Sequence, residues 1–169
     1  MALALAIVAC VSCGNKPNNS GKDEKIKVGL ITLHDDKSTY DKNFIDAFKA
    51  ACEVKGVTPV IQTGIDEKAI CQETAENLAD EGCKLVFADS FGHESFLRAA
   101  AEKYSDVQFA HATGTSMQND TKLKNFHTAF ASIYEGRYLA GIAAGMKLNE
   151  IGSTAADHVM GYVGAFPYA

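Results

Sequence analysis

The sequence has no surplus of basic charge: 16 Lys and Arg stand against 21 Asp and Glu, a formal net charge of −5. A nucleic-acid-binding surface needs cations to neutralise phosphates, so this balance argues against such a partner. No apolar run reaches the roughly 18 residues that a membrane-crossing helix requires. The five cysteines are odd in number in a chain of 169 residues, which does not describe a disulfide scaffold. Cys52, Cys71 and Cys83 read as buried free thiols, with a bridge left open if the protein is exported. The phosphate-cradling Gly-x-Gly-x-x-Gly and Walker patterns are missing, and so is the Gly-x-Ser-x-Gly elbow. The histidines fall at no metal-ligand spacing near paired cysteines, so neither a metal nor a cofactor is expected. His111 and His127 sit inside apolar stretches and read as hydrogen-bonded core residues.

What is present is a chain of one-domain size with 47% hydrophobic and 22% charged residues, enough for a real core. Its start is distinct. Residues 1–13 hold the uncharged run Ala2-Leu-Ala-Leu-Ala-Ile-Val-Ala9 followed by Cys10, and Cys13 stands three residues on. That run suits the apolar region of a secretory leader and is too short to span a bilayer. It lacks the Lys or Arg that usually opens such a leader. Residues 14–25 are polar and cannot bury themselves, so they read as a flexible tether. A short apolar leader, a small residue before cysteine and a polar tether form the pattern of a bacterial lipoprotein signal. Cys10 is the expected lipidation site, with Cys13 as the alternative.

From Ile26 onward the pattern alternates. Strands are expected at Ile26–Thr32, Thr58–Gln62, Lys84–Ala88, Val107–His111 and Asn125–Phe130, each compact and rich in β-branched or aromatic residues. Pro59 suggests an edge position for the second. Between them the apolar spacing predicts helices over 41–55, with Phe44, Ala47, Phe48, Ala51 and Cys52 on one face, and over 67–81, with Ile70, Cys71, Thr74 and Leu78 inward. Gly56 and Gly82 close those two. A third helix is expected over 94–104 through Phe96, Leu97 and Ala100, and a long Ala/Gly-rich one over 133–147. Repeated strand–helix units require parallel strands with right-handed crossovers and helices on both faces. The expected fold class is therefore α/β, a doubly wound parallel sheet. Met160–Gly164 reads as a sixth strand without a following helix, an opening strand of a further lobe, the alternative being a C-terminal edge strand.

In such a sheet ligands collect beyond the carboxyl ends of the strands. The sequence delivers carboxylates (Asp35, Asp36, Asp89), hydroxyls (Ser90, Thr113, Ser132) and aromatics (Tyr40, Phe91) to that rim. Carboxylates accept hydrogen bonds from sugar hydroxyls and an aromatic face stacks on a base, which suits a flat, neutral, hydroxyl-rich ligand. The plainer alternative for each Asp is a helix N-cap or an Asx turn.

Asp36-Lys-Ser-Thr-Tyr40, Phe87-Ala-Asp-Ser-Phe-Gly-His93 and Ala129-Phe-Ala-Ser-Ile-Tyr-Glu-Gly-Arg-Tyr-Leu-Ala-Gly141 together resemble the basic membrane protein (BMP) family of lipoproteins. These are substrate-binding components of ABC importers that include purine nucleoside receptors. The resemblance implies a type 1 periplasmic-binding-protein fold, two lobes closing on a ligand. Residues 26–150 would be the first lobe and 151–169 the hinge and first strand of a second, before which the chain is truncated. It also implies a small-molecule ligand with a nucleoside suspected, an ABC permease partner, a lipid anchor on the extracytoplasmic face of the cell membrane, and no catalysis. By motif position Asp36 matches the family's loop Asp, and Tyr40 stands near its base-stacking Phe with Phe44 as a rival. The third-strand loop points to Asp89, Ser90 and Phe91. His34-Asp35-Asp36 departs from the family's usual Gly/Asn-rich loop.

Two other classes compete. A phosphoacceptor receiver would use Asp35, Asp36 and Asp89 around Mg²⁺ with Thr113 beside them, but it needs a Lys after the fifth strand, where Ala131-Ser132 stand. A small α/β enzyme would need a pairing such as Asp89 with His93, for which no motif speaks.

Overall fold

The computed structural model describes residues 25–116 and 122–164. The leader, both candidate lipidation cysteines Cys10 and Cys13, and most of the expected tether lie outside these residues. The chain alternates as expected: β1 (Lys27–Ile31), α1 (Thr39–Lys55), β2 (Thr58–Gln62), α2 (Ala69–Asp80), β3 (Cys83–Ala88), a 3₁₀ turn (Phe91–His93), α3 (Glu94–Lys103), β4 (Gln108–His111), β5 (Phe126–Thr128) and α4 (Ile133–Ile151).

The five strands form one parallel sheet in the order β2-β1-β3-β4-β5. Pro59 falls on the edge strand β2, where its missing N–H costs no ladder bond. Alternation along the strands divides the faces. Ile31, Val86, Ala88, Phe109 and Phe126 meet Cys71, Ala75, Leu78, Leu97 and Ala100 of α2 and α3 in the main core. On the other face α1 packs against β1 and β2, with Ile45 and Cys52 buried.

The helix ends follow their signals. Ser38 is the N-cap of α1 and accepts the Asp41 N–H, while Gly56, at φ 67°, takes the left-handed conformation and closes it. Cys52, Cys71 and Cys83 are free and buried, and burial pushes the Cys71 thiol up to about 12. That is the behaviour of inert core sulfur.

Several expectations change in detail. The inward stripe of α1 is Asp41, Ile45, Phe48 and Cys52, while Ala47 and Ala51 face solvent. The stripe begins one turn earlier because Asp41 is held by caps and not by apolarity. Ile70 is exposed and Ala75 takes the inward place. His127 is exposed and bonds the Gln108 side chain, so only His111 is the core histidine that was expected. Residues 160–164 form no strand and are exposed. A strand needs a neighbour to pair with, and this segment instead runs by α4, where Arg137 donates to the Tyr162 hydroxyl at 2.7 Å. No residue of α4 is buried.

Gly29 lets α2 press close to the sheet, since a Cβ there would meet Leu78 Cδ1 at 2.9 Å. Leu78 is itself buried in the core. Gly29→Val is expected to overpack this contact and to cost about 1–3 kcal/mol, measured by urea unfolding, while Val54→Ala on the exposed side of α1 changes little.

Candidate functional site

The sheet reverses its order at β1, so a crevice opens beyond the carboxyl ends of β1 and β3. On the β1 side the chain turns sharply after Thr32, whose buried hydroxyl donates to the His34 carbonyl at 2.7 Å. Asp35 then closes an Asx turn, accepting the Lys37 N–H at 3.0 Å. Asp41 holds the loop from beneath. Its buried carboxylate accepts the His34 N–H at 2.9 Å, the His34 ring nitrogen at 3.2 Å and the Ser38 hydroxyl at 2.5 Å. Burial alone would raise its pKa, yet the Ser38 and His34 hydrogen bonds hold it below the ordinary carboxylate value.

On the β3 side Ser90 and Gly92 are tied to one carboxylate. Glu67 accepts the Ser90 hydroxyl at 2.6 Å and the Gly92 N–H at 2.7 Å. The Ser90 bond chiefly, against a smaller burial penalty, keeps Glu67 below its ordinary value. Gly92 is required here, because a Cβ would come within 2.5 Å of the Glu67 carboxyl carbon. Beneath the turn, His111 donates Nε2–H to the Ser90 carbonyl at 2.6 Å, and its Nδ1 accepts the Thr113 N–H at 3.3 Å, which fixes the tautomer. His93 donates Nε2–H to the Ile65 carbonyl at 2.8 Å. Burial lowers both imidazoles below their ordinary pKa, so both are neutral at pH 7. After β4, Glu94 accepts the Thr115 and Ser116 N–H groups and the Ser116 hydroxyl.

The expected site residues therefore divide. Tyr40 reaches across the crevice and donates its hydroxyl to the Asp89 carbonyl at 3.1 Å. Its ring is about half exposed and lies 5.1 Å from that of Phe44, which in turn lies 6.2 Å from Phe87. Phe91 is exposed on the opposite lip. Asp35 and Asp36 stand exposed on the β1 loop. Asp89 and Ser90 are buried instead, Asp89 completely, and the Thr113 hydroxyl is a buried atom without a hydrogen-bond partner. Among the described residues no group of three or more His, Cys, Asp or Glu gathers to hold a metal ion, so Asp35, Asp36 and Asp89 do not assemble into the receiver-type site. His93 bonds Ile65 and not Asp89.

Sequence reasoning missed Asp41, Glu67 and Glu94, the three carboxylates that shape the loops from behind. The Ser38-x-x-Asp41 spacing is a capping-box signal that could have found the first. The partners of Glu67 and Glu94 lie more than 20 positions away along the chain, and no local pattern marks them.

Residues 25–163 match the family described as "ABC transporter substrate-binding protein PnrA-like". Over 150 residues the chain is 32% identical to a purine-binding protein of Brucella abortus (strain 2308), covering 86% of this chain and 39% of that protein. Over 92 residues it is 36% identical to a Haloferax volcanii protein named as an ABC transporter glucose-binding protein, covering 54% of this chain and 20% of the other. The chain thus spans less than half the length of either relative. Among solved structures, an ABC transporter solute-binding protein from Conexibacter woesei superposes with a TM-score of 0.61 at 17% identity, covering 71% of this chain and 40% of that one. At that identity the likeness concerns the fold alone.

Glu67→Ala should release the Ser90–Gly92 turn, lowering stability by roughly 1 kcal/mol because the side chain is largely solvated. The Gly92 amide should exchange faster in a hydrogen-exchange experiment. Since Glu67 is held below its unfolded value near pH 4, its contribution is present above that pH and is lost as the pH falls further. The difference between wild type and variant should therefore shrink in acid.

Proposed function

The chain belongs to the family of ABC transporter substrate-binding proteins described as PnrA-like, and from that membership we propose that it forms one lobe of an extracytoplasmic receptor for nucleosides. The observation that carries the reading is the rim at the strand-order reversal. There an aromatic ring, Tyr40, is set half-exposed over the crevice and fixed at both ends, by Phe44 and by the Asp89 carbonyl. Phe91 and the exposed carboxylates Asp35 and Asp36 stand around it. A ring held in place stacks on a base with little loss of side-chain freedom. Carboxylates nearby accept hydrogen bonds from ribose hydroxyls.

The relative named purine-binding supports the base half of this reading. The one named glucose-binding favours a second reading, a sugar held by the same carboxylates. In the proposed mechanism the ligand first docks on this rim. A second lobe then closes over it, its added contacts shifting the equilibrium from open to closed. The closed receptor delivers its ligand to an ABC permease. A lipid on Cys10, or alternatively on Cys13, would hold the receptor at the membrane surface, with residues 14–25 as the tether. Binding, not catalysis, is the proposed activity.

Calorimetric titration of the full-length protein with purine nucleosides and with glucose tests this. Heat with nucleosides and none with glucose is expected. Tyr40→Ala should weaken nucleoside binding by about tenfold or more, the stacking of one base being worth roughly 1–3 kcal/mol. Binding of glucose without nucleosides would replace the first reading by the second, and silence with both would remove the receptor reading.

A further inference from the structure

Asp89 is completely buried at the end of β3, and no donor closes a hydrogen bond of good geometry on either carboxyl oxygen. The backbone N–H groups of Leu33 and of Asp89 itself lie near it, and against it lies the carboxyl of Asp41. Asp41 is buried too, but its situation is opposite. It already accepts from the His34 N–H, the His34 ring and the Ser38 hydroxyl. Two ionised carboxylates offer each other only lone pairs and repel, the more so away from water. A single proton converts the same contact into an O–H···O⁻ hydrogen bond, a short and strong kind. The surroundings say which partner carries it: three donors favour the Asp41 anion, and none of comparable geometry favours that of Asp89.

We infer that Asp89 keeps its proton up to near-neutral pH and donates it to Asp41, a one-proton latch that fastens the loop after β1 to the end of β3. The groups around the pair are consistent with this. From α1, Tyr40 rests its hydroxyl on the Asp89 carbonyl, and its pKa is raised by burial first and then by the charges of Asp89 and Asp41. His34 covers Asp41 on the solvent side. From the 3₁₀ turn and β4, His93 and His111 are neutral and spend their single N–H on Ile65 and Ser90. Glu67 is ionised and engaged with Ser90 and Gly92. Burial, followed by the charge of Asp41, raises Asp89 to about 7. Loss of its proton leaves two buried anions repelling each other, and the segment that Asp41 ties down is the loop 34–38, which carries Asp35 and Asp36, with Tyr40 in the first turn of α1 beside it.

The latch itself does not depend on what the rim binds, and its test uses no ligand. In the full-length protein with ¹³C-labelled aspartate, infrared spectroscopy should show a protonated carboxyl at about pH 6 that is gone by about pH 8.5. Asp89→Asn should abolish that band, while its amide still donates to Asp41 and keeps the loop tied. Because the pKa of Asp89 is raised above its unfolded value, the wild type should lose stability from about pH 4 to about pH 7 relative to Asp89→Asn and no further above that. Amides of residues 34–40 should exchange about tenfold faster at the higher pH than base catalysis alone dictates in the wild type, and not in the variant. If Asp89→Asn fails to fold, Asp41→Asn serves: it removes the neighbouring anion and offers Asp89 an amide N–H, so the protonated band should disappear at a lower pH than in the wild type. Absence of a protonated aspartate at about pH 6, or a band that survives Asp89→Asn, overturns the inference.

Discussion

The arrangement of this chain depends on the place of β1 between β2 and β3. Every strand is parallel, so each connection must cross the sheet with the same hand. With β1 in the middle, the crossover through α1 leaves on one face and the later ones on the other. The two loops that depart from neighbouring strand ends therefore diverge and leave a gap. Tyr40 comes to that gap from one side and Asp89 from the other, though they are 49 positions apart in the chain. No single residue creates the crevice. It is a consequence of strand order, and strand order is a consequence of which apolar runs pair.

Much of this was legible from residue patterns. Compact β-branched runs, the spacing of apolar residues between them and the two closing glycines located the five strands and four α-helices of the described residues and the edge position of β2. The family likeness rested on Asp36–Tyr40, Phe87–His93 and Ala129–Gly141, and the match over 25–163 agrees with it. What escaped was the polar architecture beneath the rim. Asp41 occupies the place in the helical period where an apolar residue would be expected. The pattern of α1 consequently pointed one face too far, to Ala47 and Ala51. Glu67 and Glu94 act at distances along the chain that no window spans. Asp89 was expected as a rim group, and its complete burial depends on how Tyr40 and the β1 loop settle over it.

The rim proposed to bind ligand is shaped by groups that lie behind it. Carboxylates on the inside accept the backbone and hydroxyl donors of the loops, so those donors are not free to collapse on one another. Neutral imidazoles of His93 and His111 supply donors from below without bringing charge. The loops that carry Asp35, Asp36 and Phe91 are thereby held in place, which would reduce the freedom that the proposed ligand must remove on binding.

Helix α4 presents a different kind of specification. Ile133, Tyr138, Leu139, Met146 and Ile151 point around its circumference, and none is buried. A helix with one oily stripe announces which way it must roll when it meets a neighbour. This one has no preferred roll of its own, so its rotational setting is chosen by whatever it rests on. The sequence of α4 then encodes adhesion but leaves orientation to the company it keeps.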